Sequence, residues 1–291
     1  MKIYLNGQFV TQEDAKISVL DRGFLFGDGV YEVIPVYQRK PFHLKAHLKR
    51  LQNSLDGIRM KNPHIDEEWA EIIDHLIDQN ESDDKYVYLH ISRGVAPKRD
   101  HAFPAEIHPT IIGITNPLPK LPDIYFQKGI KTITLEDTRW KNCHYKTTTL
   151  LPNVLSRQEA VEKEAVEAIL LQEGLMIEGA ASNIVIVKDG TIFSPVRDNR
   201  MLHGITLDVI ELLAKQHHVP MIFRDITVAE LKSADEVWLT ASTKELLPVT
   251  EIDGKPVGNG LPGPLAKQMF DYYQVHKKEP LWSQLNYQMN W

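Results

Sequence analysis

Cys143 is the only cysteine in this chain of 291 residues, which excludes an intramolecular disulfide framework and a thiolate zinc cluster and fits a reducing compartment. Long apolar runs are missing too: no segment approaches the ~20 uninterrupted apolar residues that span a bilayer. The opening Met1-Lys2-Ile3-Tyr4-Leu5-Asn6-Gly7 lacks the apolar core of a signal peptide. Positive charge is not in excess. The net charge of −6 gives no reason to expect nucleic acid or an anionic membrane as partner. There is no internal repeat, no low-complexity tract and no metal-ligand spacing on one helix face, so Cys143, His144, His217 and His218 read as ordinary residues and no metal is expected. What remains is a soluble, cytoplasmic chain, 43% hydrophobic and 25% charged, with the length for two domains of about 100–200 residues each.

The turn and periodicity signals are plentiful. Asn6-Gly7 between Ile3–Leu5 and Gln8–Val10 predicts a hairpin with a tight primed turn. Tyr31–Tyr37 is rich in β-branched and aromatic residues and predicts a strand. Leu44, Leu48, Leu51 and Leu55 predict an amphipathic helix, and a second is expected from Asp66, as N-cap, through Ile77. Strands follow at Tyr86–Ser92 and His108–Thr115. Three prolines within Asn116–Asp123 forbid helix or central strand, so residues 117–123 form an interdomain linker between domains 1–116 and 124–276, with a tail at 277–291. Beyond the linker a strand is expected at Lys131–Glu136. Next comes a helix about Pro152 whose Leu151, Val154, Leu155, Val161 and Ala165 share one side. Further strands are expected at Ala168–Gln172, Leu175–Glu178, Asn183–Lys188, Thr191–Phe193 and Glu236–Thr240, with hairpins at Asp189-Gly190 and Asp253-Gly254. Helices are expected at Thr206–Gln216, Thr227–Lys232 and from Pro264 to about Val275. The tail from Pro280 to Trp291, with two tryptophans, reads as a packed or lid-like extension.

Four clusters carry possible chemistry. Lys146 stands in Asp137–Thr149, between a strand and a helix, beside a hydroxyl run. Partial desolvation there favours a neutral amine able to form a Schiff base. Glu178, followed by Gly179-Ala180-Ala181-Ser182-Asn183, offers a carboxylate at a strand end where a flat heteroaromatic ring can lie; under a pyridine it would keep the nitrogen protonated. Gly204-Ile205-Thr206 at a helix start and Thr240-Ala241-Ser242-Thr243 after a strand present amides and hydroxyls suited to a phosphate, and Arg50 adds a charge. Arg99 and His101 alternate in an extended loop and can converge on one carboxylate. Taken singly, each has an ordinary explanation: a solvated loop lysine, a turn glutamate, helix caps and a basic surface loop.

Their ordered conjunction does not. Asp21-Arg22-Gly23-Phe24-Leu25-Phe26-Gly27-Asp28-Gly29-Val30-Tyr31-Glu32, His47-Leu48-Lys49-Arg50-Leu51, Arg99-x-His101, the Lys146 segment, Glu178-Gly179-x-x-Ser182-Asn183, Gly204-Ile205-Thr206 and Thr240-Ala241-Ser242-Thr243 follow one another from near residue 20 to past residue 240. In this the chain resembles the fold-type-IV pyridoxal-phosphate aminotransferases, and within them the D-amino-acid transaminases. The resemblance implies an α/β protein with a small N-terminal domain, a larger C-terminal domain built on a pseudo-barrel of strands, and the cofactor between them. It implies that Lys146 bears pyridoxal 5'-phosphate as a Schiff base and shuttles a proton. Glu178 would pair with the pyridine nitrogen, and Ser182 would join the cofactor site. Arg50, Ile205, Thr206 and Ser242 would hold the phosphate. Tyr31, Arg99 and His101 would bind the substrate carboxylate, the last two from the other subunit of a homodimer. The pattern departs from the family at Ala180-Ala181-Ser182, where a run of serines is usual, and at Ala241, where a hydroxyl is frequent.

The activity implied is ping-pong transamination between a D-amino acid such as D-alanine and a 2-oxo acid such as 2-oxoglutarate. Branched-chain L-aminotransferases of this fold usually carry an arginine in a Tyr-x-Arg-Pro strand, where this chain has Tyr86-Val87-Tyr88-Leu89-His90. Aminodeoxychorismate lyases, which eliminate rather than exchange amines, do not usually carry the Arg-x-His loop. Both remain alternatives on the same fold, and a non-catalytic binding module is a third.

Overall fold

Asn6 and Gly7 both take positive φ (48° and 91°) and close the hairpin between β1 (Lys2–Leu5) and β2 (Gln8–Thr11) in the computed structural model, which describes residues 1–279. Among the described residues two units are distinguished: Met1–Pro119 with Tyr145–Leu150, and Lys120–His144 with residues 151–279. In the first unit follow α1 (Arg22–Phe26), β3 (Gly29–Tyr37), β4 (Lys40–Pro41), α2 (Leu44–Gly57), α3 (Asp66–Asp78), β5 (Lys85–Ser92) and β6 (Thr110–Pro117). Its strands form one antiparallel sheet in the order β2-β1-β6-β5-β3-β4. Strand β5 shows why one face is covered. Val87, Leu89 and Ile91 are buried, and Tyr86, Tyr88 and His90, on the opposite face, are half-buried. The leucine row of α2 (Leu48, Leu51, Leu55) packs in one core with these residues, with Ile34 and Val36 of β3, and with Trp69, Ile73 and Leu76 of α3. Each such aliphatic side chain contributes about 1.5–3 kcal/mol by leaving water.

The second unit runs α4 (Ile124–Gln127), β7 (Ile130–Glu136), α5 (Leu151–Glu162), β8 (Glu167–Gln172), β9 (Leu175–Gly179), β10 (Asn183–Lys188), β11 (Thr191–Ser194), α6 (Ile205–Gln216), β12 (Met221–Phe223), α7 (Val228–Ser233), β13 (Glu236–Ala241), β14 (Glu245–Ile252), β15 (Lys255–Pro256) and α8 (Pro264–His276). The sheet order is β12-β11-β10-β13-β14-β7-β8-β9, with β15 on β14. Strands β9 and β10 are joined by only Ala180, Ala181 and Ser182, yet lie far apart in that order. The sheet must therefore curl until they meet, and the Gly179 amide bonds the Ser182 carbonyl at 2.7 Å where it does. The curled sheet matches the pseudo-barrel expected, and the mixed α/β class stands with it.

Several details differ from expectation. Asp66 is the first residue of α3 rather than its cap: Ile65 precedes it, with its amide donating to Glu68 Oε2 at 3.1 Å. Helix α6 opens at Ile205, one residue early, and Thr227 caps α7 from outside, accepting from the Glu230 amide. Among the described residues most of the apolar row expected on α5 is uncovered: Leu151, Val154, Leu155 and Val161 are 67%, 57%, 61% and 49% exposed, while Ala165, expected in the same row, lies past the helix end and is buried. Only Ala160 of that helix is buried. Short α1, α4 and β12 carry too few residues to show a period. The tail from Pro280 lies outside the described residues. Among the described residues no helix is long and apolar enough to cross a membrane.

Candidate functional site

In the first unit, residues 146–148 pair with the start of β3. The Tyr31 amide donates to the Lys146 carbonyl and the Thr148 amide to the Gly29 carbonyl, both at 3.0 Å, with Val30 opposite Thr147. Val30 and Thr147 are buried together on one face. Alternation then places Lys146 beside Tyr31 on the other face, and Lys146 Nζ lies 4.3 Å from the Tyr31 ring centroid. The Lys146 amide donates to Ser54 Oγ of α2 (3.0 Å), and a Cβ on Gly57 would strike the Tyr145 ring, so the segment sits close on that helix. Tyr88 faces Tyr31 at 5.7 Å between centroids and shares a 3.1 Å hydrogen bond with His90. Burial pushes the Tyr88 phenol up to about 12. Neither Tyr88 nor His90 was singled out from the sequence, although their i, i+2 spacing in a strand was a usable signal.

Under this face lies a buried charged triad. Glu32 Oε1 and Oε2 accept from Arg50 Nε (2.7 Å) and its NH2 (2.8 Å), and Oε2 also meets His47 Nδ1 at 2.8 Å. Arg50, expected at a phosphate, thus has a carboxylate partner within the chain. Burial would raise the Glu32 pKa, but the charge and hydrogen bonds of Arg50, with His47 behind them, hold it down to about 2. Burial pushes His47 the other way, below its ordinary value, against the pull of Glu32. His47 Nε2 is buried and has no hydrogen-bond partner. A carboxylate depressed from 4.5 to about 2 adds stability that is complete above 4.5 and is lost as pH falls through 2. Glu32→Gln is therefore expected to cost about 3 kcal/mol at pH 7, and to flatten the acid limb of stability. Urea unfolding at pH 7 and at pH 3 checks both; equal losses at the two pH values would contradict it.

In the second unit, Glu178 at the end of β9 is buried within a shell of donors. Arg139 NH1 donates to Oε1 (2.5 Å), Asn183 Nδ2 to Oε2 (3.2 Å), and the Leu202 amide reaches both oxygens at 3.1 Å. Burial, aided by Asp137 and only partly offset by the charge and hydrogen bond of Arg139 and by the Leu202 amide, leaves the Glu178 carboxyl raised to about 7. Arg139 is fixed by Asp137, and these two carboxylates outweigh its burial and raise its pKa above the ordinary arginine value. Arg139 was not singled out from the sequence, and 39 residues separate it from Glu178.

Ile205 and Thr206 form the first turn of α6, whose N-cap Gly204 supplies no side-chain hydrogen bond. A Cβ at Gly204 would collide with the Asn183 side chain, so glycine lets this turn lie close to β10. Thr240 Oγ1, at the end of β13, is buried without a partner, and Ser242 follows it half-exposed. The Ser182 hydroxyl, expected in the cofactor site, donates to buried Glu167 (3.0 Å). Arg99 and His101 are both exposed and approach the same ring, each 5.2 Å from Phe26. Among the described residues no His, Cys, Asp and Glu group could hold a metal ion.

Each unit by itself offers groups of the kind pyridoxal phosphate needs: in the first an amine beside an aromatic face, in the second a buried carboxylate kept near a cation and a helix turn with free amides for an anion. A model of the amino-transferase class IV family matches residues 29–252. The D-alanine aminotransferase of Staphylococcus aureus (strain COL) is 38% identical over 276 residues, 94% of this chain and 97% of its own length. That of Listeria monocytogenes serotype 1/2a (strain 10403S) is 37% identical over 275 residues, 94% of this chain and 95% of its own. Among solved structures, the T.th. branched-chain amino acid aminotransferase with pyridoxamine 5'-phosphate superposes with a TM-score of 0.89 at 30% identity, covering 97% of this chain and 96% of that one.

Proposed function

The chain belongs to the class IV aminotransferases, and we propose that it exchanges amino groups between D-amino acids such as D-alanine and 2-oxo acids such as 2-oxoglutarate, with pyridoxal 5'-phosphate as cofactor. The observation that carries the reading is the pairing of residues 146–148 with β3, which holds Lys146 Nζ against Tyr31. When bound, the cofactor supplies an aldehyde that takes up an amine and a ring that accepts electrons. Lys146 would hold the cofactor through Nζ and, when released by substrate, take the proton that leaves the substrate Cα and return it. Glu178 would keep a proton on the ring nitrogen. The amide of Ile205 and the hydroxyls of Thr206 and Ser242 would hold the phosphate, with Arg50 supplying charge from a position that Glu32 sets. Ser182 would serve through Glu167, which orders the turn after Glu178.

Tyr31, Arg99 and His101 would clamp the substrate carboxylate. With that group held and Lys146 on a set face, one enantiomer alone directs its Cα–H at Nζ. The identity to D-alanine aminotransferases, above that to the branched-chain structure, and the absence of arginine from β5 favour the D-enantiomer. The purified protein should be yellow, and D-alanine should bleach the band where L-leucine and L-valine act more slowly. Arg99→Ala should lower kcat/KM for D-alanine and 2-oxoglutarate together by about one to two decades, because both present a carboxylate. Faster turnover of L-leucine, with D-alanine kinetics indifferent to Arg99, would reject the assignment.

A homodimer with shared sites belongs to the same reading. The exposed apolar row of α5 and the outward Arg99 and His101 support it. Mixing Lys146→Ala chains with Arg99→Ala, His101→Ala chains should restore about a quarter of the sites after random exchange. Mixtures that exchange subunits and stay inactive would refute sharing.

A further inference from the structure

The loop carrying Arg99 and His101 has no strand to hold it, yet three successive carbonyls of its main chain are occupied by one side chain. Arg22 is 3% exposed. Its NH1 donates to the carbonyls of Asp100 (2.6 Å) and Ala102 (3.2 Å), its NH2 to that of His101 (3.1 Å), and its Nε to Asp28 Oδ2 (2.7 Å). Asp28 is gripped in turn by Arg93 through Nε (2.8 Å) and NH2 (2.9 Å), and Arg93 donates onward to the carbonyls of Ile58 (2.8 Å) and Arg59 (3.2 Å) just past α2. Arg93 also stacks at 3.7 Å on Phe103, and Arg22 lies 4.9 Å from the Phe26 ring that both Arg99 and His101 approach. A chain of side chains thus runs from the end of α2 to the backbone between the two carboxylate-binding candidates.

We propose that Arg22 is a positioning residue for substrate recognition: by holding the carbonyls of residues 100–102 it sets the directions of Arg99 and His101, and through them the affinity for the carboxylate shared by amino donor and oxo-acid acceptor. The inference rests on the assignment of Arg99 and His101 to that carboxylate. A guanidinium suits the task because its planar fork carries five donors, enough for three carbonyls and an aspartate. A lysine in its place would keep the charge beside Asp28 and lose the fork. Burial makes the arrangement selective as well: carbonyls deprived of their donor must find water, and the loop must move to do so.

The test is steady-state kinetics of the full-length, cofactor-loaded Arg22→Lys enzyme. KM for D-alanine and for 2-oxoglutarate should both rise about tenfold, with kcat changed less than about threefold and the visible band of the resting enzyme unchanged. In an Arg99→Ala, His101→Ala background the same substitution should add less than about twofold, because residues acting through one another are not additive. Should the lysine variant not accumulate, Arg22→Gln is expected to give the same KM-against-kcat split. Wild-type KM values in these variants, or an equal rise in both backgrounds, would overturn the proposal while leaving the carboxylate assignment intact. If Arg99→Ala, His101→Ala alone leaves both KM values unchanged, the carboxylate assignment falls first and this inference with it.

Discussion

Lys146→Ala is expected to reduce turnover of D-alanine at least about a thousandfold, since a positioned acid–base group alone contributes about 10²–10⁴-fold and the same amine would also anchor the cofactor. The fold should barely notice. The contacts that dock residues 146–148 on β3 and on Ser54 are made by the main chain of Lys146, which alanine retains. Thr147, the buried residue of the segment, is untouched. A thermal transition close to wild type, together with the kinetic loss, is therefore the expected pair of results. The lysine can also be identified directly: borohydride should fix the cofactor to the peptide containing Thr147-Thr148-Thr149. Lys141, exposed in the second unit, is the control, and label recovered there would sink the assignment.

The next largest effect is expected at Glu178, and its pH dependence separates the carboxylate from the residues that hold it. Burial raises Glu178 to about 7 even with Arg139 beside it, and Arg139 is the chief influence that keeps it from rising further. A carboxyl raised in the folded state favours folding in its protonated form, so this contribution is full below 4.5 and disappears as pH rises through 7. Arg139→Leu removes the cation and lets the carboxyl rise further, leaving it protonated at neutral pH and unable to hold a proton on the ring nitrogen. Glu178→Gln should lower kcat about a hundredfold or more at every pH. Arg139→Leu should match that loss at pH 7 but recover as pH rises and Glu178 ionises. Parallel profiles for the two variants would show that Arg139 does not act through the carboxylate.

Much of this protein could be read from local spacing. The Asn6-Gly7 hairpin, the leucine row of α2, the strands about Asp189-Gly190 and the proline start of α8 all repeat over a few residues, and a period of two or 3.6 survives in the structure. The candidate site was legible to a lesser degree. Lys146, Glu178 and Gly204–Thr206 stand where strands meet helices or turns, but each alone has an ordinary explanation, and only their order along the chain, through the family resemblance, marks them as candidates. The pairings were not legible. Arg139 meets Glu178 across 39 residues, Arg50 meets Glu32 across 18, and Arg22 meets the Asp100 carbonyl across 78. No period encodes such distances, because the curl of a sheet or the return of a loop brings the partners together. The α5 row is the opposite case. A helix is present where it was expected, though it stops at Glu162 short of Ala165, and spacing cannot say what covers its apolar residues.

The pairing of Thr147 opposite Val30 has a consequence for how much length variation the chain can tolerate. Counting outward from Thr147, odd and even positions emerge on opposite sides of the ribbon. One residue inserted before Tyr145 only lengthens a loop, and the lysine keeps its side. One residue inserted between Lys146 and Thr147 turns the amine toward the buried side occupied by Val30. Two inserted there would restore the side but carry the amine about 7 Å along the strand, away from Tyr31. An added residue just before Tyr145 thus leaves the side of the lysine unchanged, whereas between Lys146 and Thr147 not even an addition of two residues is neutral.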